Sequence, residues 1–237
     1  GTVEHEVHGA LRGVERKEKQ PRRGRLILPP LNAIIDAEVA RRSGWTVSSL
    51  AEAFLAGGAR FIQIRCKQAA SGAFLAVCEE VVARARPAGA TVIVNDRADI
   101  ARLAGADGVH VGQEDLDPVS VRRILGASAV IGLSTHSAEQ VRASSRLPVD
   151  YVAVGPVFGT SSKETGYREV GTRFVSEAAA LLRETGDPRP IVAIGGITLA
   201  RARGVIRAGA ASVAVISDLL STGHPEARVR EYLQALQ

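Results

Sequence analysis

Three cationic and two acidic side chains stand where short β-rich runs of this chain give out: Arg65 and Lys67 in "FIQIRCK", Lys163 in "GPVFGTSSKETG", Asp96 in "NDRAD" and Asp115 in "VGQEDLD". Arginine grips phosphate oxygens as a rigid fork and lysine follows them as a mobile point charge. Two converging carboxylates suit a hard divalent cation. Together these residue types describe the handling of a metal-bound diphosphate. The chain has only four lysines, Lys17, Lys19, Lys67 and Lys163, and the last two fall at these strand ends.

In "FIQIRCK" the polar residues Gln63, Arg65 and Lys67 alternate with Ile62, Ile64 and Cys66. Side chains alternate faces along a strand, so the polar set shares one face. An edge strand with a solvated face would show the same pattern. In a closed barrel, which has no edge, that face points to the interior and its mouth, where unpaired charges are costly and an anion is expected. Asp96 and Asp115 would leave neighbouring strands about 5 Å apart, close enough to share one ion, with Mg²⁺ the natural occupant. Each also has a structural alternative. Asp96 can form a turn or bond Arg97, and Asp115 or Asp117 can cap the helix opening near Pro118. With the two carboxylates neutralised by Mg²⁺, Arg65, Lys67 and Lys163 leave the mouth at +3, against about −3 for a diphosphate ester.

A second anion position is read further along. Thr160, Ser161 and Ser162 offer hydroxyl and N–H donors in the loop that also carries Lys163, which reads as an anion cradle or as a flexible polar loop. Gly195 and Gly196 follow the seventh run, and Ile216 and Ser217 the eighth, the usual phosphate position of a barrel. His110 reads as a hydrogen-bonded interior residue. His136 either contacts substrate or begins the next helix.

The elements that must position these residues are regular. Strand candidates fall at 32–36, 60–66, 91–95, 108–112, 129–133, 150–154, 190–194 and 212–216. Helical periodicity marks 47–57, 72–86, 117–125, 137–145, 172–184 and 198–207. Runs such as "TVIVN" and "YVAVG" are apolar almost throughout, as strands covered on both faces must be. Eight strand and helix units in one domain, residues 26–237, predict an α/β fold of the (β/α)8 (TIM) barrel type. An open doubly wound sheet is the competitor, and the first strand lacks its glycine fingerprint.

Composition narrows the function classes. Residues 1–25 carry seven basic and four acidic side chains, so three of the five formal positive charges belong to this extension, which is expected to be disordered. It has no aromatic residue to stack a base, so no nucleic-acid partner is expected, and it lacks the apolar stretch of a secretory signal. No apolar run is long enough for a membrane span. Two cysteines, Cys66 and Cys78, make neither a zinc site nor a disulfide framework, so a cytoplasmic protein is expected. Oligomeric state is not legible.

In its motifs the chain resembles the thiamine-phosphate synthase family. They are Gln63-x-Arg65-x-Lys67, Asn95-Asp96-Arg97-x-Asp99, Asp107-Gly108-Val109-His110 running on to Gln113-Glu114-Asp115-Leu116, Gly132 to His136, Gly155-Pro156 through Lys163, Gly195-Gly196-Ile197 and Ile216-Ser217. The resemblance implies that Gln63, Arg65, Lys67, Asn95, Ser134 and Lys163 hold a pyrimidine diphosphate, with Arg65, Lys67, Lys163 and Ser134 acting in catalysis. It implies Mg²⁺ on Asp96 and Asp115, and a thiazole phosphate on Thr160, Ser161, Ser162, Gly196, Ile216 and Ser217. The implied reaction is dissociative: diphosphate leaves the pyrimidine methylene and the thiazole nitrogen captures the cation. The first strand departs from the family, with Asn32 where an aromatic residue is common. A thiazole tautomerase of the same superfamily and a non-catalytic ligand-binding barrel are the alternatives.

Overall fold

The computed structural model describes residues 26–159, 168–186 and 189–237. The N-terminal extension and the loop bearing Thr160, Ser161, Ser162 and Lys163 lie outside the described residues. Eight parallel strands run in chain order: β1 (Leu31–Asp36), β2 (Phe61–Arg65), β3 (Thr91–Asn95), β4 (Gly108–Val111), β5 (Val130–Thr135), β6 (Tyr151–Val154), β7 (Ile191–Ile194) and β8 (Ser212–Val215). β1 pairs with β2 on one side and β8 on the other, so the sheet closes and the open doubly wound alternative is excluded. Every strand lies within two residues of its expected bounds.

The helices outside the barrel are α1 (Ala37–Arg42), α2 (Val47–Ala56), α3 (Ser71–Ala85), α4 (Ala98–Ala104), α5 (Pro118–Leu125), α6 (Ala138–Ser144), α7 (Gly171–Glu184), α8 (Leu199–Arg207) and α9 (Pro225–Ala235), with a 3-10 turn at Ser217–Leu220. Periodicity had not marked α1, α4 or α9. The first two are six and seven residues long, too short to repeat an apolar stripe. α9 buries little beyond Pro225, Val229 and Tyr232. Where helix openings were expected, Asp117 caps α5, accepting from the N–H groups of Val119 and Ser120 at 3.0 Å each.

Two apolar layers follow from strand alternation. Ile62, Ile64 and Cys66 face outward and pack with helical residues such as Phe54 and Phe74. Phe61, Ile93, Val130, Tyr151 and Val192 fill the lower interior. At the N-terminal rim, two aspartates tie neighbouring strands together. Asp107 accepts from Val92 N–H at 2.9 Å, and Asp150 accepts from Ile131 N–H at 2.8 Å while pairing with Arg122 at 2.7 Å. The packed floor leaves the polar inner positions for the opposite end of the barrel, where the strands finish.

Candidate active site

Gln63 and Arg65 point inward from β2, as alternation required, and both line a cavity of about 380 Å³ at the C-terminal end of the barrel. Lys67 is not a strand residue: β2 ends at Arg65, and Lys67 projects from the following turn with 47% of its side chain exposed. Arg65 is also not a lone cation. Its Nη1 donates to Asp36 Oδ2 from the end of β1, and Asp36 Oδ1 accepts from Glu38 and Val39 N–H at 3.1 and 3.0 Å, capping α1. The charge of +3 expected at the mouth therefore omitted Asp36 and is lowered to +2 by it. Arg65 Nε remains a buried donor without a partner among the described residues. The guanidinium is thus fixed on one side, with its Nε hydrogen unspent.

The two carboxylates do come together. Asp96 follows β3 with φ of 63°, and no other described non-glycine residue has a positive φ. This backbone costs about 1–3 kcal/mol and persists because the surroundings enforce it, as Asp96 N–H donating to His110 C=O at 2.7 Å illustrates. Asp96 Oδ2 pairs with Lys67 Nζ at 3.0 Å. Burial is the main cause that lifts the Asp96 carboxyl above its usual range; Lys67 opposes the rise, and Asp115, in hydrogen-bonding contact, adds to it. Asp115 Oδ2 also accepts from Gly112 N–H at 2.7 Å. The helix cap fell to Asp117, leaving Asp115 to face Asp96. Two acids against one lysine is an arrangement that a divalent cation resolves. Among the described residues no group of three or more metal-ligating side chains occurs.

Across the cavity, β4, β5 and β6 carry a relay. Tyr151 is fully buried, and its hydroxyl lies 3.0 Å from His110 Nδ1, while His110 Nε2 lies 2.8 Å from Ser134 Oγ. Burial pushes the phenol well above its ordinary range, so Tyr151 keeps its proton and can serve as donor to Nδ1. In the tautomer that carries hydrogen on Nε2, His110 donates to Ser134 Oγ and the serine proton is left for a ligand. The interior reading of His110 holds. Gly132 makes room for this stack: a Cβ there would lie 2.1 Å from Tyr151 Cζ and 2.5 Å from His110 Nδ1. His136 also lines the cavity, with Nδ1 2.6 Å from Gly155 C=O, so Nδ1 is the protonated nitrogen. Asn95, 8% exposed, completes this wall.

Gly195, Gly196, Ile216 and Ser217 line the same cavity beyond β7 and β8. A Cβ on Gly196 would meet Gly159 C=O at 2.4 Å, so the loops after β6 and β7 touch through bare backbone. The sequence reading missed two residues here. Arg201 on α8 lines the cavity, stacks 4.5 Å over the Phe158 ring and donates to Gly196 C=O at 3.1 Å. Asp218 anchors the 3-10 turn: its Oδ2 accepts from Tyr232 OH at 2.6 Å, Arg228 Nη2 at 2.8 Å and Leu199 N–H at 3.2 Å. An arginine one turn into a helix after a glycine pair was the only available signal for Arg201. Nothing local signalled Asp218.

Cys66 lies between Arg65 and Lys67 in sequence but faces the helices, and burial pushes its thiol up to about 11. It is no nucleophile.

The chain matches the family described as Thiamine monophosphate synthase over residues 31–219. It is 43% identical over 213 residues to a thiamine-phosphate synthase of Koribacter versatilis, a match spanning 89% of this chain and 97% of that protein. A thiamine-phosphate synthase of Roseiflexus castenholzii is 41% identical over 181 residues, 76% of this chain and 77% of its own. Among solved structures, thiamine phosphate pyrophosphorylase from Pyrococcus furiosus has a TM-score of 0.77 at 28% identity, covering 88% of this chain and 95% of that one.

Proposed function

The chain belongs to the thiamine monophosphate synthase family, whose members are transferases, and we propose that it moves a pyrimidinylmethyl group from its diphosphate to the nitrogen of a thiazole phosphate. One observation carries the assignment of the diphosphate end. Arg65 and Lys67 stand at the same rim as the facing carboxylates Asp96 and Asp115.

In this reading Asp96 and Asp115 would hold Mg²⁺, and the ion would neutralise charge on the departing diphosphate. Two carboxylates are the hard oxygen donors that would suit Mg²⁺ beside a phosphate-bearing substrate. Arg65, oriented by Asp36, donates from its guanidinium to a phosphate oxygen. Lys67 pivots between Asp96 and the leaving group, and Lys163 joins from the loop after β6. Ser134 donates the proton that the Tyr151–His110 relay leaves free. Arg65, held by Asp36, is oriented before charge develops, which is where electrostatic catalysis gains most. The pyrimidine lies below them among Gln63 and Asn95. Gly195, Gly196, Ile216 and Ser217, with Thr160, Ser161 and Ser162, take the thiazole phosphate, and Arg201 adds a cation beside them. The thiazole nitrogen then bonds to the methylene that diphosphate has left. No protein group has to exchange a proton with carbon, so positioning carries the rest.

The tautomerase alternative has no diphosphate for facing carboxylates and an ion to neutralise, and a non-catalytic barrel has no use for the Asp96 backbone. We place the protein in the cytoplasm: Cys66 and Cys78 are buried free thiols, and no described helix is long and apolar enough to cross a membrane. Incubating the protein with the pyrimidine diphosphate and the thiazole phosphate tests the function. Coupled thiamine phosphate with one diphosphate released per product supports it; no coupled product, with both substrates intact, refutes it.

A further inference from the structure

The inner end of the cavity holds a polar side chain to which the proposed reaction gives no role. Asn32 on β1 is 1% exposed, lines the cavity, and has an Oδ1 with no hydrogen-bond partner among the described residues. Strand register sets it beside Ala214 of β8, and its inner-face neighbours Ile34 and Phe61 are apolar. None of these can donate. Ser212, whose hydroxyl is likewise buried and unpaired, does not line the cavity. Asn32 is therefore a cavity-lining residue with a buried, unpaired acceptor, an arrangement that weakens the free protein and is relieved when a ligand brings a donor.

The chemistry of the two substrates selects the donor. A thiazole phosphate carries no amine. The pyrimidine carries an exocyclic amine beside a ring nitrogen, a donor and acceptor edge that a carboxamide matches with its own oxygen and nitrogen, as asparagine and glutamine match the same edge of adenine. With the diphosphate held at the rim by Arg65 and Lys67, the ring extends inward toward β1. We propose that Asn32 is a specificity-determining residue, its Oδ1 accepting a hydrogen bond from the exocyclic amino group of the pyrimidine diphosphate. The inference rests on the proposed function and adds to it the group that distinguishes an aminopyrimidine from other aromatic diphosphates of similar size.

The test is a binding cycle by calorimetry, with Mg²⁺ present and the thiazole phosphate omitted so that no coupling occurs. The ligands are the aminopyrimidine diphosphate and its analogue lacking the amino group; the proteins are wild type, Asn32→Leu and, as a second variant, Asn32→Ala. In wild type, loss of the amino group weakens binding on the order of tenfold. In both variants the two ligands bind within about twofold of each other. Asn32→Leu melts no lower than wild type, because it removes an unpaired acceptor, which separates recognition from a structural role. If both variants keep the wild-type penalty for the missing amino group, this inference is overturned alone. A wild type that binds neither ligand overturns the proposed function and the inference together.

Discussion

Arg65 is already paired in the free protein. Asp36 holds one edge of the guanidinium while itself capping α1, so the cation is oriented before any substrate arrives and loses little freedom when it binds. Ser134 is prepared in a similar way by a tyrosine it does not touch. Tyr151→Phe would let His110 Nδ1 take the proton instead, and Ser134 would then spend its hydrogen on Nε2. The expected result is a kcat lower by roughly tenfold, with a stability loss of about 1 kcal/mol for the buried hydrogen bond. Single-turnover kinetics beside a melting curve check both, and an unchanged kcat contradicts the relay. In the proposed function Arg201 serves the other substrate. Arg201→Gln should raise KM for the thiazole phosphate by about tenfold while leaving KM for the pyrimidine diphosphate within twofold, consistent with loss of one partly exposed ionic contact. Equal rises for both substrates would detach Arg201 from the second phosphate.

At the scale of elements, the 3-10 turn after β8 is held by Asp218 against the start of α8 and against Arg228 and Tyr232 along α9. Asp218→Asn keeps the volume but weakens the bonds to Arg228 and Tyr232. We expect a loss of about 2 kcal/mol, since hydrogen bonds to a charged group are the stronger kind, and a raised KM for the thiazole phosphate, as Ser217 loses its anchor. Steady-state kinetics with denaturant unfolding resolve the two effects; a stability loss with both KM values unchanged would make the anchor purely structural. On β5, Gly132→Ala would force a methyl into the Tyr151 and His110 rings and should cost on the order of 1–3 kcal/mol, the usual penalty of overpacking. Thermal melting measures this directly, and a wild-type melting temperature would mean the stack can move. The strands themselves were legible because apolar β-branched runs at even spacing have few other uses. α1 and α4 were not, being shorter than two turns.

For the whole molecule, barrel closure decides what sequence could reveal. Alternation along one strand placed Gln63 and Arg65 inward without any knowledge of their neighbours. The pairing of Arg65 with Asp36 joins positions 29 residues apart, and Asp36 read alone is only a residue before a helix; the partnership exists because β1 and β2 are adjacent in register. Asp218, Arg228 and Tyr232 likewise meet only once α9 packs against the barrel. Closure also brings the ends of β2, β3 and β4 to a single rim, so Lys67, Asp96 and Asp115 stand at one spot. The most direct test of that convergence follows diphosphate release against free Mg²⁺ in wild type and in Asp115→Asn. Release should rise with Mg²⁺ and vanish in excess chelator, and the variant should stay folded but be slower by at least about a hundredfold, beyond the 10–100-fold typical of losing an outer-shell partner. Release at full rate in chelator, or an Asp115→Asn protein as fast as wild type, would contradict that convergence.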